Sequence, residues 1–234
     1  MEIRSSDVIV ITWPKSGTTW MQYIVTQLIC GKNCEDQNST LFERNISLEF
    51  ARNPMEPNNS EGGYKIAAEL PPPRLLKSHL KSSMLPSSLL DSKAKVIYVV
   101  RNPKDAAVSF FNFCCMNTSL PPYKDWSEFF EHFYDGLLPY GDWFEHVLPW
   151  WEKRNEPNVL FMKYEDMKKN LQDAVLRISK FLEKSISEEE LGDICEKSSF
   201  DAMKNNPYSN PDYMGIPLFT RQPIPFMRKG SCHL

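Results

Sequence analysis

Residues 12 to 20 read Thr12-Trp13-Pro14-Lys15-Ser16-Gly17-Thr18-Thr19-Trp20, between an apolar run with strand character, Val8 to Ile11, and an amphipathic run with helix character, Trp20 to Cys30. A strand that enters a tight turn and leaves it as a helix aims backbone N–H groups and the positive end of the helix dipole at one point, where an anion can sit. The residue types suit that use. Pro14 stiffens the entry, Gly17 permits a turn that a Cβ would hinder, and Ser16, Thr18 and Thr19 offer hydroxyl donors beside the charge of Lys15. The stretch departs from G-x-x-x-x-G-K-[ST], having one glycine and a lysine that precedes it, so the β/γ phosphates of ATP are not the expected ligand. Taken by itself, the stretch reads equally as an ordinary strand-turn-helix connection that contains a lysine.

The flanking sequence sets this turn in an α/β chain. Lys95 to Val100 is a continuous β-rich apolar run, the pattern of a parallel strand buried on both faces; Arg74 to Leu80 predicts a short strand ending in polar chemistry, and Val159 to Met162 a further one. Asn102-Pro103 is an N-cap and first-turn pair for a helix running to about Cys114. Asp125 to Tyr134 and Asp142 to Arg154 carry aromatics at helical spacing, and Tyr164-Glu165-Asp166 leads into one long amphipathic helix from about Met167 to Glu183. Asn33 to Gly63 is polar, interrupted by Pro54 and Pro57, and reads as an irregular insertion. Alternating strands and helices predict a central, mostly parallel sheet flanked by helices, with ligands beyond the carboxyl ends of the strands. There the turn Arg101-Asn102-Pro103-Lys104-Asp105 would supply a second anion site. Arg101 can grip a phosphate bidentately, and Ser109, close to two helical turns on, shares that anion only if the ligand lies along the helix face. The plain alternative is a helix cap.

With 234 residues, 41% of them hydrophobic and 24% charged, the chain is expected to form one domain around one core. The N-terminus lacks the pattern of a signal peptide and no apolar stretch approaches the ~20 residues of a membrane span, so a cytoplasmic protein without a membrane partner is expected. Its six cysteines show no zinc spacing and are read as reduced thiols, and no metal is implied. The four Asn-x-Ser/Thr sequons are set aside with secretion. A net charge of −3 argues against nucleic acid as a partner.

The first turn, Arg101 to Asp105 with Ser109, Ser198-Ser199-Phe200 and Phe226-Met227-Arg228-Lys229-Gly230 together resemble the cytosolic sulfotransferases in order and approximate spacing. The resemblance extends over nearly the whole chain, through Tyr164-Glu165-Asp166, the block from Trp143 to Glu152, and Phe200-x-x-Met203 followed by Asn206-Pro207. It implies a fold similar to P-loop nucleotide kinases and transfer of a sulfuryl group from 3′-phosphoadenosine 5′-phosphosulfate (PAPS) to a hydroxyl or amine. By position, Lys15, Ser16, Gly17, Thr18 and Thr19 correspond to the 5′-phosphosulfate loop, with Lys15 also stabilising the leaving oxygen. Arg101 and Ser109, joined by Arg228, Lys229 and Gly230, correspond to the 3′-phosphate contacts. Trp20, Tyr164 and Phe200 correspond to the adenine surroundings, with Ser198 and Ser199 nearby and Phe226 and Met227 alongside. His79 resembles the catalytic base, Lys77 the residue that positions the acceptor oxygen, and Phe113 an acceptor-pocket residue. Phe110 and Phe111 fit a plain core role. His132 and His146, in helix-period segments, are read as packing or capping residues.

The pattern also breaks. The family continues from Arg-Lys-Gly into Gly-Asp-Trp, a dimerisation segment and a C-terminal helix, whereas this chain reads Ser231-Cys232-His233-Leu234, and relatives carry a further N-terminal segment. A single sulfotransferase domain over 1–234 shortened at both ends, and a monomer, are therefore expected. Three readings follow: a sulfotransferase acting on a small, largely apolar acceptor; a non-catalytic shortened form with weak or no nucleotide binding; and, far behind, a nucleotide kinase, for which the Walker-type lysine is absent.

Overall fold

The computed structural model describes residues 1–31, 40–49, 62–214 and 221–229. Five strands, β1 (Val8–Thr12), β2 (Asn45–Ser47), β3 (Leu75–Ser78), β4 (Lys95–Val100) and β5 (Val159–Lys163), form one sheet in the order β2-β3-β1-β4-β5, every pair parallel. The α/β class and the parallel sheet agree with the sequence. β1, at the centre, is buried along its whole length, as its unbroken apolar run requires.

Period-two alternation then sorts the core. Val8, Val10, Ile97 and Val99 face one layer, covered by α1 (Thr18–Cys30) through Met21, Ile24, Val25 and Leu28, and by α8 (Leu171–Phe181) through Val175 and Ile178. Ile9, Ile11, Val96 and Tyr98 face the other, where Val147 and Trp150 of α6 (Trp143–Glu152) pack. Each such side chain removed from water contributes about 1.5–3 kcal/mol. A third cluster, Trp13 with Ala106, Phe110 and Phe129, joins the first turn to α4 (Pro103–Met116) and α5 (Trp126–Tyr134).

Two sequence expectations need correction. The segment read as an irregular insertion contains α2 (Leu41–Arg44), opened by a capping box between Thr40 and Glu43, and the edge strand β2; residues 32–39 and 50–61 of that region lie outside the described residues. Three residues of strand flanked by polar chain give no periodicity to read. The single long helix is two helices, α7 (Tyr164–Lys169) and α8, because Asn170 leaves helical geometry and its side chain accepts from the Asp173 N–H, restarting the chain as a cap. The remaining helices are α3 (Gly63–Glu69), α9 (Glu188–Lys197) and α10 (Phe200–Lys204).

Register decides the site. Ile11 lies beside Ser78 and Thr12 beside Val99, so the chain leaves β1, β3 and β4 at one level. The turn holding Lys15, the residue His79 and the Arg101 turn therefore emerge on one edge of the sheet.

Candidate active site

The first turn achieves its tightness with two left-handed residues, Lys15 at φ 64° and Gly17 at φ 101°. At Gly17 the demand is double, since a Cβ there would also lie 2.8 Å from Cδ2 of Tyr164. Thr12 at the end of β1 and Thr18 at the start of α1 close the turn through a 2.7 Å hydroxyl pair. Arg101, leaving β4, donates from Nη1 to the Lys15 carbonyl at 3.0 Å, and its guanidinium lies 4.5 Å from the centre of the Tyr164 ring. The two turns are thus one unit.

The second turn is capped as expected, Asn102 accepting from the Lys104 N–H at 2.9 Å, while the Asn102 N–H donates to Glu165 at 2.8 Å. Across the cleft, Trp20 Nε1 donates to the Ser198 carbonyl at 2.8 Å and meets the Tyr164 ring edge-on at 5.5 Å. Ser109, Ser198, Ser199 and Phe200 line the same cavity, of about 840 Å³, as the first turn, and Arg228 and Lys229 line it too. Among the described residues, Ser16 Oγ, Ser198 Oγ and Arg101 Nε are buried without a hydrogen-bond partner. Buried donors and acceptors of this kind cost stability unless a ligand satisfies them. Other buried side-chain atoms of the described residues are also unpartnered, but Ser16 lies in the first turn, Arg101 in the second and Ser198 across the cleft from them, a placement that fits an anionic nucleotide.

Lys15 does something the sequence does not announce. Its Nζ lies over two rings, 4.6 Å from the centre of Phe113 and 4.0 Å from that of Phe226. Burial, reinforced by the positive charges of Arg101 and Arg228 and opposed by Asp212, lowers its pKa to about 7. An ammonium so placed is poised to gain from an incoming phosphate.

His79 follows β3 directly. Its Nδ1 lies 2.9 Å from the Thr12 carbonyl, which can only accept, so the proton sits on Nδ1 and Nε2 carries the lone pair. Burial first, then the neighbouring Lys77, lower its pKa to about 4, against the pull of Glu49. The imidazole is neutral and able to take a proton. Burial also lowers Lys77, with Glu49 opposing. Glu49 accepts from the Ser78 hydroxyl at 2.7 Å, the Leu80 N–H at 3.1 Å and the His79 N–H. Burial would raise its pKa, but the charge His79 carries when protonated, the Ser78 hydroxyl and the His79 N–H hold it below the usual value. Lys77, His79 and Phe113 line the cavity beside Tyr140, whose ring meets His79 edge-on at 5.7 Å. Phe110 is fully buried in the core.

Among the described residues, the sequence-derived site residues line this one cavity, except Ser16, which is fully buried within the first turn. Phe226 stacks edge-on with Phe113 at 5.9 Å and its N–H donates to Asp212; Met227 packs against the Tyr23, Leu41, Met203 and Tyr208 cluster. Gly230 lies outside the described residues. Sequence reasoning did not select Thr12, Glu49 or Tyr140. Thr12 stood inside the quoted stretch, but Glu49 reaches His79 across thirty residues of chain and has no local signal. His146, read as packing or capping, is fully buried and also bonded to His79.

A parallel α/β sheet whose central strand ends in a tight, lysine-bearing turn into a helix, with an aromatic cleft beside it, is an architecture suited to holding nucleotide phosphates. A sulfotransferase domain model matches residues 5–233. The chain is 41% identical over 228 residues to sulfotransferase 1E1 of Mus musculus, covering 97% of this chain and 76% of that protein. It is 38% identical to the Bos taurus 1E1 protein over 98% of this chain and 77% of the relative. Among solved structures it resembles retinol dehydratase in complex with androsterone and inactive cofactor PAP (TM-score 0.87, 31% identity, 99% of this chain and 75% of that one). Mouse sulfotransferase SULT7A1 complexed with PAP is also similar (TM-score 0.78, 30% identity, 100% and 77%). The chain belongs to the sulfotransferase family, whose members are enzymes. No helix among its described residues is long and apolar enough to cross a membrane.

Proposed function

We propose that this chain transfers a sulfuryl group from PAPS to the hydroxyl or amine of a small, largely apolar acceptor in the cytoplasm. The observation that carries the reading is one cavity with paired anion turns at Lys15 and Arg101 and a neutral histidine, His79, in its wall. The solved relatives hold PAP, and one of them holds androsterone, an apolar alcohol, which supports both halves of the assignment.

PAPS, when bound, supplies a sulfuryl group activated by its link to phosphate. Lys15 and the hydroxyls and N–H groups of its turn hold the 5′ end, while Arg101, Ser109, Arg228 and Lys229 hold the 3′-phosphate, arginine's fork matching its oxygens. Trp20, Tyr164 and Phe200 supply the aromatic wall beside the purine. His79 Nε2 takes the proton that leaves the acceptor as its oxygen or nitrogen becomes the nucleophile, a contribution of about 10²- to 10⁴-fold. Lys77 steadies that atom, and Phe113 and Tyr140 exclude water. Calorimetric titration with 3′,5′-adenosine bisphosphate (PAP) tests the site without knowledge of the acceptor. Saturable binding, micromolar or tighter, is expected; no binding by folded protein would overturn the reading in favour of a non-catalytic chain.

A further inference from the structure

Three groups converge on His79 besides the cavity. Its ring Nδ1–H is held by the Thr12 carbonyl and its main-chain N–H by the Glu49 carboxylate. Its main-chain carbonyl lies 3.1 Å from Nε2 of His146, a fully buried residue one turn into α6. The carbonyl can only accept, so His146 Nε2 must carry a proton. His146 Nδ1 in turn lies 2.8 Å from the hydroxyl of Tyr98 on β4. With burial lowering the His146 pKa to about 4, the ring is neutral, Nδ1 is an acceptor, and the Tyr98 hydroxyl donates to it, the His146 carbonyl at 3.3 Å being its longer second acceptor. Tyr98 is itself immobilised, its ring stacked 5.5 Å from Trp150 and 5.3 Å from Phe161. A chain of donors thus runs from the core aromatic stack through His146 to the backbone of the residue that faces the cavity.

A buried histidine satisfied on both nitrogens could serve packing alone. Its proton, however, goes to the main chain of the residue that faces the cavity. Residue 79 is the first beyond β3, so the sheet no longer fixes its peptide plane. Of its polar atoms, the N–H, the carbonyl oxygen and Nδ1 are each fixed by a different element, and Nε2 takes no hydrogen bond from the described residues. Fixing three atoms of one residue determines where the fourth must be.

We propose that His146 is a positioning residue for His79: its Nε2–H clamps the His79 carbonyl, Tyr98 keeps the proton on that nitrogen, and the clamp sets where the His79 lone pair meets the acceptor. This rests on the reading of His79 as the base. A misplacement of about 1 Å in a reacting group can cost about 10²-fold in rate, so loss of the clamp acts on kcat.

Two near-isosteric variants separate positioning from packing. In His146→Gln the side-chain amide nitrogen can replace Nε2 and still donate to the His79 carbonyl; in His146→Asn it can replace only Nδ1, and the clamp is lost. Both are measured in PAP-free protein by imidazole nitrogen NMR, and with labelled PAPS and an apolar aliphatic alcohol, which keeps its proton until the base takes it, for kcat and KM, alongside His79→Ala. The expected result has three parts. Wild-type His146 is the neutral Nε2–H tautomer; His146→Asn loses about ten- to a hundredfold in kcat with PAP affinity unchanged; and His146→Gln stays within about threefold of wild type. An Nδ1–H tautomer at His146 in the wild-type protein overturns the proposal without any variant. Wild-type kcat in His146→Asn, or equal losses in Gln and Asn variants that track thermal stability, overturns positioning while an inactive His79→Ala leaves the base assignment standing. Full turnover in His79→Ala overturns both.

Discussion

Replacing Gly17 by alanine introduces one methyl group at the point where the two anion turns meet. At φ 101° an L-residue is strained, which costs about 1–2 kcal/mol. The new Cβ would also lie 2.8 Å from Cδ2 and 3.3 Å from Cε2 of Tyr164, so a rigid ring must shift. Overpacking of this kind typically costs about 1–3 kcal/mol, which with the backbone strain gives about 2–5 kcal/mol in all. The ring cannot shift alone, because Arg101 stacks on it at 4.5 Å and Trp20 meets it at 5.5 Å. Stability and PAP affinity should therefore fall together. Urea denaturation of Gly17→Ala, Tyr164→Leu and the double variant gives the partition: removing the ring should recover the overpacking share, about 1–3 kcal/mol, and leave the backbone share. A single variant destabilised by less than about 0.5 kcal/mol, below the usual effect even of many benign substitutions, or a cycle without coupling, would refute the reasoning.

Other residues give separate tests. Lys15 titrates at about 7 in the free protein, and bound phosphate raises that value, so binding takes up a proton once the pH exceeds it. PAP affinity should be full below about pH 7 and weaken by up to tenfold per pH unit above it; Lys15→Arg, permanently charged, should lose that slope, and a flat wild-type profile would contradict the assignment. His79 is active when unprotonated and its pKa is lowered to about 4, so the acid limb of kcat/KM with an alcohol acceptor should lie well below the ordinary histidine value of about 6.5. An acid limb at the ordinary value would show that Lys77 and burial do not act as described. Arg101→Ala should weaken PAP binding by about 1.5–3 kcal/mol in titration calorimetry, as expected for a charge-assisted bond, and an unchanged affinity would remove it from the site. Asp7 and Arg74 form a fully buried pair in which Arg74 Nε donates to Asp7 at 2.7 Å; Asp7→Ala strands the guanidinium and should cost about 3–5 kcal/mol in urea denaturation, with a loss under about 1 kcal/mol counting against it.

The parallel sheet and both anion turns were legible because each is local. Lys95 to Val100 announces a buried strand, Asn102-Pro103 a capped helix start, and the order Lys15, Ser16, Gly17 a turn into a helix, within a few residues each. What escaped is what only register assembles. Glu49 meets His79 because β2 and β3 run side by side, and β2 is three residues in a segment with no period. His146 looked like one more apolar-face residue of α6; only the crossing of α6 over the end of β3 shows its Nε2 at the His79 carbonyl. The helix break at Asn170 was legible in principle from Asn170 and Asp173, but the continuous amphipathic pattern on either side outweighed it.

The central claim is that the Lys15 and Arg101 turns and His79 together perform sulfuryl transfer. The most direct measurement follows radiolabel from sulfur-labelled PAPS into 4-nitrophenol and into an apolar alcohol, for the wild-type chain and His79→Ala, with PAP affinity measured on both. The account predicts transfer by the wild-type chain to at least one acceptor, its loss in His79→Ala, and PAP affinity nearly equal in the two. Transfer to the alcohol undiminished in His79→Ala, or none to either acceptor by a wild-type chain that binds PAP, would contradict it.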